Sequence, residues 1–447
     1  MSSDPLMVDA ELFDSISGAR LAPLKWALLL FIVAAAIRFG YLAFEVAVPA
    51  QDTHDYDEIA ANLLAGKGFV SSENWFGYEM RSWRAPLYPG FMAGIYGLIG
   101  YSHTAVKVVQ AIFGSMTVVI LFAIARTIFP PASVVAGLGA ALYMPLVVNP
   151  NELMTETLFT FFFILSVYLM LEKQVGAQPG MCRNGHWLTT GMVIGLAALT
   201  RPVALILWPL EILLSRPVAV SNFKVWIFRC LWISLGVIAT VAPWTARNYH
   251  IHGSLVPIST HGGFIFARSN GPHPDWKKID GWQIDRQTFD LMPNEVERDR
   301  YWLGQGWQYV VSDPGHFARL SLERFVRFWY FFRPDYNFSY MVLLPLFLAG
   351  FWQFRTKTGF DTIAVVIIAF VCTFSIFLYG SVRFRLPLEP LFILFASAFI
   401  TDAWQRWGGR LVATVLAILI VANGLVWWQE TAARALLLNF LAFGKFT

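Results

Sequence analysis

The stretch LKWALLLFIVAAAIRFGYLAFEVAV (24–48) is followed almost directly by QDTHDYDEIAANLLAGKGF (51–69). As a helix, the first stretch is long enough to cross the ~30 Å hydrocarbon core of a bilayer. The second stretch places four acidic side chains within seven residues, namely Asp52, Asp55, Asp57 and Glu58. Together, the two stretches predict a membrane span followed by an acidic loop on one face of the membrane. The acids of this loop either cap a helix or take part in catalysis.

The composition of the whole chain indicates a membrane protein. Of its 447 residues, 57% are hydrophobic and 14% are charged. We predict an all-α polytopic membrane protein with about eleven transmembrane helices, at 24–48, 105–128, 133–149, 153–171, 187–200, 202–215, 229–245, 339–354, 361–379, 386–402 and 410–428. The net charge of +4 is too small to suggest nucleic acid as a partner. The three cysteines show no paired or metal-ligand spacing, so neither a disulfide framework nor a metal site is expected.

Positive charge sets the predicted orientation. With the N-terminus in the cytoplasm, the loops on that side carry the lysines and arginines at positions 20, 25, 126, 173, 183, 216, 224, 229, 355, 357, 406 and 410. The acidic loop and the long connections then lie on the extracytoplasmic face. We predict a multi-pass protein of the cell inner (plasma) membrane, with an N-terminal transmembrane module at 1–246 (its outer loop at 49–104), a small extracytoplasmic insert at 247–335 and C-terminal transmembrane helices at 336–447.

Two segments depart from simple crossings. Residues 86–100 are too few to span a bilayer, and the proline at position 86 favours a helix start, so an interfacial helix is predicted there. The run GMVIGLAALTRPVALILWPLEILL is predicted to break at Thr200-Arg201-Pro202, since proline disfavours helix at the residue before it. Such a break would hold Arg201 at membrane depth, which requires a polar cavity.

The insert at 247–335 is predicted to change character along its length. It begins as irregular polar chain around Gly262-Gly263. It then continues as a helix capped by Asn294 and a second helix that starts at Asp313-Pro314. The second helix mixes arginines with apolar residues, which predicts that it lies on the membrane surface.

Carboxylates at two places are candidates for catalysis. Asp52 is expected just before a helix whose apolar face includes Tyr56, and its role could be limited to capping that helix. Glu152 and Glu156 lie four residues apart at the outer end of a predicted span, in NPNELMTETLF. A carboxylate at membrane depth is costly and needs a partner, so Glu156, the deeper of the two, is the stronger candidate, although an acid that only reaches the interface would fit the same pattern.

Arginines cluster on the same predicted face. Two of them, Arg81 and Arg84, lie just before the predicted interfacial helix, and four lie next to predicted span ends: Arg201, Arg247, Arg383 and Arg385. Each alone is compatible with an anchor to lipid headgroups. Together they predict a cavity that binds a lipid phosphate, because guanidinium groups match phosphate geometry. A carboxylate beside such a cavity could act as general base toward an acceptor hydroxyl.

Four motifs in a distinctive order resemble the GT-C glycosyltransferases of family 39 and their bacterial relatives. The motifs are DTHDYDEIAANLL, RAPLYP, TETLF and GLAALTRP, with a weaker echo at RFRLPLEP. The group contains the dolichyl-phosphate-mannose protein mannosyltransferases, the lipid A aminoarabinose transferase and the rhizobial galacturonosyltransferases. The resemblance covers about the first half of the chain and one late motif. It implies the GT-C fold, juxtamembrane helices in the first outer loop, and a polyprenyl-phosphate-linked sugar as donor.

The resemblance also implies roles for single residues. The family's acceptor-deprotonating aspartate matches Asp52, four residues before Tyr56. Its cation before Pro-Leu matches Arg84, and its second acid matches Glu156. We expect Asp52 and Glu156 to be catalytic, and we expect substrate contacts from nine further residues: Asp55, Tyr56, Arg81, Arg84, Tyr88, Arg201, Arg247, Arg383 and Arg385.

The predicted function is that of a membrane glycosyltransferase. It would move a sugar, with inversion, from a polyprenyl-phosphate-linked donor to a hydroxyl of a glycolipid, glycan or protein acceptor on the extracytoplasmic side. Membrane lipids surround the protein, and a divalent cation is left open as a cofactor. The alternative is a polyprenyl-lipid flippase or secondary transporter, which the broken helix at Arg201 and the intramembrane Arg38 would suit. Acids at span exits and the lack of an internal repeat disfavour that alternative.

Overall fold

The structure is a computed structural model that describes residues 23–44, 51–72, 78–175, 183–215, 223–271, 292, 294–331 and 337–432. Within these ranges the chain is helical and forms no strand, apart from an isolated bridge between Ser71 and Met80. The helices are α1 (Pro23–Phe44), α2 (Gln51–Leu64), α3 (Leu87–Ile99), α4 (His103–Ile128), α5 (Ser133–Leu142), α6 (Met144–Val148), α7 (Glu156–Val175), α8 (Arg183–Thr200), α9 (Leu207–Leu214), α10 (Phe223–His252), α11 (Gly262–Asn270), α12 (Glu295–Ser312), α13 (Pro314–Trp329), α14 (Phe338–Phe354), α15 (Phe360–Cys372), α16 (Val382–Arg385), α17 (Glu389–Trp407) and α18 (Gly409–Trp428). The predicted end of the first span, at 45–48, lies outside the described residues.

The described helices make this a multi-pass membrane protein. Six stretches are long and apolar enough to cross a bilayer: Pro23–Phe44, His103–Ile128, Phe223–His252, Phe360–Phe377, Val382–Trp407 and Gly409–Trp428. The pair Pro130–Leu142 and Met144–Asn151, bent by 60°, makes a seventh if it crosses as one span. Shorter apolar helices accompany them at Leu87–Ile99, Glu156–Leu171, Pro202–Leu214 and Phe338–Phe354. The all-α class is confirmed, and a helix coincides with each predicted range, while the number of eleven crossings stays a prediction.

Close contacts between membrane helices depend on glycine. α8 and α10 cross where Gly191 meets Gly236. A Cβ atom on Gly191 would lie 2.0 Å from the carbonyl oxygen of Ile233, and one on Gly236 would lie 2.3 Å from that of Leu188. Helices in a bilayer gain little from burying apolar surface against each other, so small residues that let backbones touch are what hold such a pair together.

A second contact joins α13 and α14 to α17 through aromatic rings. Phe347 and Phe392 stack with their centroids 4.1 Å apart, and Trp329 stacks on them at 6.1 Å and 5.7 Å respectively. Gly350 allows the approach of α14 to α17, since a Cβ atom there would lie 2.1 Å from the carbonyl oxygen of Phe395. This core ties the amphipathic helix α13 to the C-terminal bundle.

α8 ends at Thr200, where a helix break is predicted. Arg201 has extended backbone, with φ −145° and ψ 119°, and Pro202 opens a 3-10 turn that runs to Ile206. Proline has no N–H to continue the helix and pushes the preceding residue toward extended backbone, which explains both features. The predicted break is confirmed.

The first loop contains two helices, α2 and α3, as predicted. α2 starts at Gln51, so Asp52 lies in its first turn rather than before it. After Leu64 the chain turns through Gly66 and Gly68, whose φ angles of 72° and 85° are accessible mainly to glycine. The loop then returns through the Ser71–Met80 bridge to α3.

Two acids of the first loop have structural partners. Asp57 accepts hydrogen bonds from the hydroxyl groups of Tyr96, at 2.6 Å, and Tyr101. Glu58 accepts from the Ser71 hydroxyl at 3.0 Å and from the backbone N–H of Ser72 at 2.6 Å. These two carboxylates therefore brace α2 against α3 and the returning chain.

The insert begins with a helix, α11, at the place where irregular chain is predicted. The Gly262-Gly263 pair suggests a turn, yet Gly263 serves a helix contact: its Cβ atom would lie 2.0 Å from the backbone oxygen of Asp299, so α11 packs directly on α12. The prediction of irregular chain is therefore wrong for Gly262–Asn270, whereas residues 253–261 form no helix, as predicted, and residues 272–291 lie outside the described ranges. The predicted caps are confirmed, because the Asn294 and Asp313 side chains both accept backbone N–H groups of the following helix.

Replacing Gly236 by alanine is expected to lower the thermal stability of the detergent-solubilised protein. The added Cβ atom cannot fit unless α8 and α10 separate, and overpacking of this kind typically costs ~1–3 kcal/mol. Gly424→Ala on α18 is the matched control, since nothing lies within 4 Å of its added Cβ atom. Equal melting temperatures for the two variants would contradict the contact.

Candidate active site

A cavity of about 840 Å³ gathers segments that are far apart in sequence. α2 and the residues before α3 contribute one part of its wall, and the break after α8 contributes another. The remainder comes from α11 with the chain before it, from the stretch between α15 and α16, and from α16 itself. Its polar and aromatic lining consists of Asp55, Tyr56, Trp83, Arg84, Thr200, Arg201, Ser259, His261, Phe264, Arg268, Thr373, Phe374, Phe377, Tyr379, Arg383 and Phe384.

Asp55 and Arg84 form an ion pair at the cavity wall. Arg84 donates to the Asp55 Oδ2 atom from Nε at 3.0 Å and from Nη2 at 2.5 Å. The Arg84 guanidinium also lies 5.2 Å from the ring centroid of Tyr56. Tyr56 in turn packs edge-on against Tyr88, with 5.1 Å between centroids. The fold thus brings Asp55 and Arg84 together, and the Tyr56–Tyr88 aromatic pair packs next to them.

Glu156 lies behind another part of the wall, where it binds two arginines at once. Its side chain is 1% exposed. The Oε1 atom accepts from Arg201 Nη2 at 2.6 Å and from Arg383 Nε. Arg201 also donates from Nε to the Thr155 hydroxyl at 2.7 Å. The carboxylate therefore fixes the guanidinium groups of two residues that line the cavity.

The lining of the cavity is cationic. Among the side chains that the structure describes, four arginines line it, namely Arg84, Arg201, Arg268 and Arg383, against one carboxylate, that of Asp55. Glu156 adds one negative charge behind the wall but is shared between two of these arginines. A half-open cavity with this charge attracts an anion, because electrostatic interactions are less screened there than in bulk water.

Arg81 and Arg247 do not line the cavity. Arg247 donates from Nη1 to the backbone oxygen of Arg81 at 2.5 Å and from Nη2 to that of Phe69 at 3.1 Å. It also stacks on Trp244, with 4.5 Å from its Cζ atom to the ring centroid. The Arg81 side chain is about half exposed and pairs with Glu79. The predicted substrate contacts of both arginines gain no support from this geometry, which instead gives Arg247 the role of fastening the first loop to α10.

Tyr88 and Arg385 are buried away from the cavity. The Tyr88 hydroxyl donates to Gln110 Oε1 at 2.8 Å, so Tyr88 supports Tyr56 without facing the cavity itself. Arg385 is fully buried, pairs with Glu389 at 2.7 Å and donates to the backbone oxygen of Phe328 at 2.7 Å. These bonds hold α16 and α17 to the end of α13, and the predicted substrate contact of Arg385 gains no support from this geometry.

The side chain of Asp52, the predicted base, lies outside the described residues. Its backbone belongs to the first turn of α2. Positions 52 and 55 are three residues apart, and residues at this spacing share one face of a helix. The prediction for Asp52 therefore stands as made, next to a described neighbour, Asp55, that does line the cavity.

The described carboxylates do not suit a divalent cation. Among the residues of the described ranges, no three His, Cys, Asp or Glu side chains gather as metal ligands would. Asp55 is occupied by Arg84, and Glu156 by Arg201 and Arg383. A divalent ion would have to displace these guanidinium groups, so no chemical step is assigned to one.

The sequence does not predict several of the residues that line the cavity. Trp83 is adjacent to a predicted site residue, and His261, Phe264 and Arg268 belong to the segment interpreted as irregular chain. Tyr379 follows a π-helical turn at Thr373–Phe377, which the apolar pattern of the span conceals. Recognising α11 as a helix would have placed Phe264 and Arg268, at i and i+4, on one face.

The first comparison concerns sequence. A family model described as dolichyl-phosphate-mannose-protein mannosyltransferase matches residues 83–244. The matched segment contains Arg84, Glu156 and Arg201 but neither α2 nor Arg383. No similar sequence is found among the curated proteins.

The second comparison concerns solved structures. ArnT from Cupriavidus metallidurans, in a crystal structure bound to undecaprenyl phosphate, matches with a TM-score of 0.57 and 15% identity over 93% of this chain and 73% of that chain. AglB, the oligosaccharyltransferase of Archaeoglobus fulgidus, in complex with an inhibitory peptide and a dolichol-phosphate, matches with a TM-score of 0.53 and 11% identity over 92% of this chain and 56% of that chain. At such identities the likeness shows the fold, and the predicted GT-C fold is confirmed. The family match supports the predicted resemblance to glycosyltransferases of the family 39 type over residues 83–244.

Asp299 holds the N-terminus of α11, the helix that carries Phe264 and Arg268. Its Oδ1 atom accepts the Gly263 N–H at 2.6 Å, and burial raises the pKa of this carboxyl from an ordinary 3.8 to about 6. The folded state therefore holds the proton more tightly than the unfolded state does. Stability from this group rises as the pH falls through about 6, and the gain is complete below 3.8.

We expect Asp299→Asn to remove this pH dependence. The neutral amide still offers an oxygen to the Gly263 N–H but cannot titrate. The melting temperature of the wild type minus that of the variant should increase when the pH is lowered from 7 to 5. A difference that is constant over this range, measured in one detergent and at fixed ionic strength, would contradict the assignment.

Proposed function

We propose that the protein is an inverting membrane glycosyltransferase whose donor is a polyprenyl-phosphate-linked sugar and whose acceptor is a hydroxyl of a glycolipid, glycan or protein. The observation that carries the proposal is the cationic cavity, which combines four arginines, a carboxylate and an apolar wall. The fold shared with ArnT bound to undecaprenyl phosphate and with AglB bound to dolichol-phosphate supports a lipid phosphate as its ligand.

The arginines would bind the phosphate of the donor. Arg201 and Arg383 are held in place by Glu156, and Arg84 lies next to the loop acids. The donor is a phosphodiester with one negative charge, whereas the lipid phosphate that leaves gains a second. A cationic lining therefore attracts the leaving group more strongly than the donor, and an attraction that grows toward the transition state accelerates the reaction.

The chemical step is a direct displacement. The acceptor hydroxyl loses its proton to a carboxylate of the first loop, and its oxygen forms a bond to the anomeric carbon. The bond from that carbon to the phosphate oxygen breaks, and its electron pair leaves with the polyprenyl phosphate. Attack from the side opposite the phosphate inverts the anomeric centre.

Two aspartates on one face of α2 compete for the role of base. Asp52 matches the family motif and is the proposed base. Asp55 lines the cavity, but Arg84 occupies its Oδ2 atom. Because Arg84 binds Asp55 through both Nε and Nη2, the simplest role of Asp55 is to hold Arg84 until the donor arrives.

The cavity would lie on the extracytoplasmic side of the cell inner membrane, with the N-terminus in the cytoplasm. The distribution of lysine and arginine among the predicted loops supports this orientation. Lipid-linked donors and bulky acceptors would then meet at the membrane surface, which is where the first loop and the insert are predicted.

The function is tested by supplying the purified protein, in proteoliposomes, with a labelled polyprenyl-phosphate sugar. Release of the polyprenyl phosphate in the presence of envelope extract, with the sugar recovered on an acceptor, supports a transferase. Movement of the intact lipid across the bilayer without release would instead support the flippase alternative, which the helix break at Arg201 would also suit.

Replacing Asp52 by asparagine is expected to lower transfer by ~10²–10⁴-fold, the usual contribution of a positioned base. Asp55→Asn should reduce transfer less and raise the apparent KM for the donor, because Arg84 loses its partner. Asp57→Asn is the matched control, since Asp57 is bound by Tyr96 and Tyr101. If Asp52→Asn kept full transfer while Asp55→Asn abolished it, the base would be Asp55.

Replacing Glu156 by glutamine should destabilise the fold, because two arginines then face each other around a neutral side chain. Removing one partner of a buried ion pair typically costs ~3–5 kcal/mol. Glu152→Gln, the same change at a half-buried acid four residues earlier, is the control. Adding Arg383→Gln to Glu156→Gln should restore part of the melting temperature, and the absence of any such coupling would contradict the shared contact.

A further inference from the structure

An aromatic cluster forms one wall of the cavity. Trp83 and His261 lie with ring centroids 4.2 Å apart, and Phe264 lies 5.6 Å from Trp83 and 6.0 Å from His261. Behind them the buried Trp302 packs edge-on against Phe264 at 5.7 Å. All three front rings are only half-buried, and all three line the cavity. The cluster is therefore a supported aromatic surface that faces open space, unlike the rings of the core.

Two separate chain segments place a ring of this wall beside an arginine. Trp83 directly precedes Arg84, and both line the cavity. Phe264 and Arg268 share a face of α11, with 5.8 Å between the Arg268 Cζ atom and the Phe264 ring centroid. A ligand that bound here would meet a cation and an aromatic face within the span of one sugar ring.

A different segment provides a further apolar part of the lining. Phe377 ends the π-helical turn Thr373–Phe377 and Leu378 follows it, and two carbonyl groups of the turn accept hydrogen bonds from other helices. Arg324 donates to the backbone oxygen of Ile376 at 2.9 Å, and Asn270 donates to that of Phe377. The chain is thus held open at this turn, where apolar side chains suit a hydrocarbon tail.

We propose that the Trp83–His261–Phe264 wall binds the pyranose of the donor, by stacking on the sugar face that carries axial C–H groups. The inference rests on the proposed function. The sugar of such a donor is bonded directly to the phosphate, so the two must occupy adjacent subsites, as the rings and arginines do. The electron-rich faces of aromatic rings attract polarised C–H groups, and rigid aromatic surfaces lose little entropy on binding. The wall selects a hexose-like ring and leaves the phosphate to the arginines.

The test compares two lipids that differ only in the sugar. Binding of undecaprenyl phosphate and of undecaprenyl-phosphate mannose is measured on the full chain in nanodiscs. Trp83→Leu and Phe264→Leu should each weaken binding of the mannose-bearing lipid about tenfold, a change of about 1.4 kcal/mol, and leave binding of the bare lipid phosphate within about twofold. Trp83→Phe, which keeps a ring, should recover most of the loss. Phe266→Leu is the matched control, because Phe266 is on the same helix but packs on Trp307 and does not line the cavity.

The outcomes separate this inference from the proposed function. If both ring variants weaken the two lipids equally, or neither, the wall does not bind the sugar, whatever the wild type does in the transfer assay. If the ring variants discriminate between the lipids while the wild type transfers no sugar, the subsite stands and the transferase proposal fails. Soluble methyl mannoside provides a further arm: competition that the ring variants abolish, with donor binding unchanged, would assign the wall to an acceptor glycan and overturn the proposal.

Discussion

The buried carboxylate of Glu156 is the constraint on which the cavity depends. It receives hydrogen bonds from Arg201 and Arg383, which lie in segments 182 residues apart. Because Glu156 is almost fully buried, its charge requires at least one of these partners. The start of α7, the break after α8 and the short helix α16 are therefore positioned as one unit. The same unit supplies two of the cations that line the cavity.

The cavity forms where helices end or depart from regular α-helical geometry. Arg201 is extended after α8, a π-helical turn follows α15, and α16 is only four residues long. Irregular backbone at membrane depth is tolerated where protein groups satisfy it or where it faces a polar cavity. Here Arg324 donates to the backbone oxygen of Ile376 in the π-helical turn, and Arg385 of α16 donates to that of Phe328 at the end of α13, so the turn and α16 are both held by contacts outside the cavity.

The sequence predicts most of the fold and the principal charges of the site, since both depend on local patterns. Apolar runs located the helices, and Pro202 located the break that frees Arg201. Pairing depends on tertiary packing, so the sequence could not distinguish Arg385, which is buried against Glu389, from Arg383, which reaches Glu156. It also could not show that Gly263 makes a helix contact in place of a turn. That error hid Phe264 and Arg268, and with them the aromatic wall.

The cationic lining has a consequence for turnover. On the proposed function, the spent lipid carries more negative charge than the lipid that delivered the sugar, so the arginines hold the by-product more firmly than the reactant. Such an enzyme would be inhibited by its own product, the spent lipid carrier. Release of that carrier into the bilayer would limit the turnover rate. Its turnover rate in a cell would then depend on the activity that recycles the carrier and so keeps the concentration of spent carrier in the surrounding membrane low.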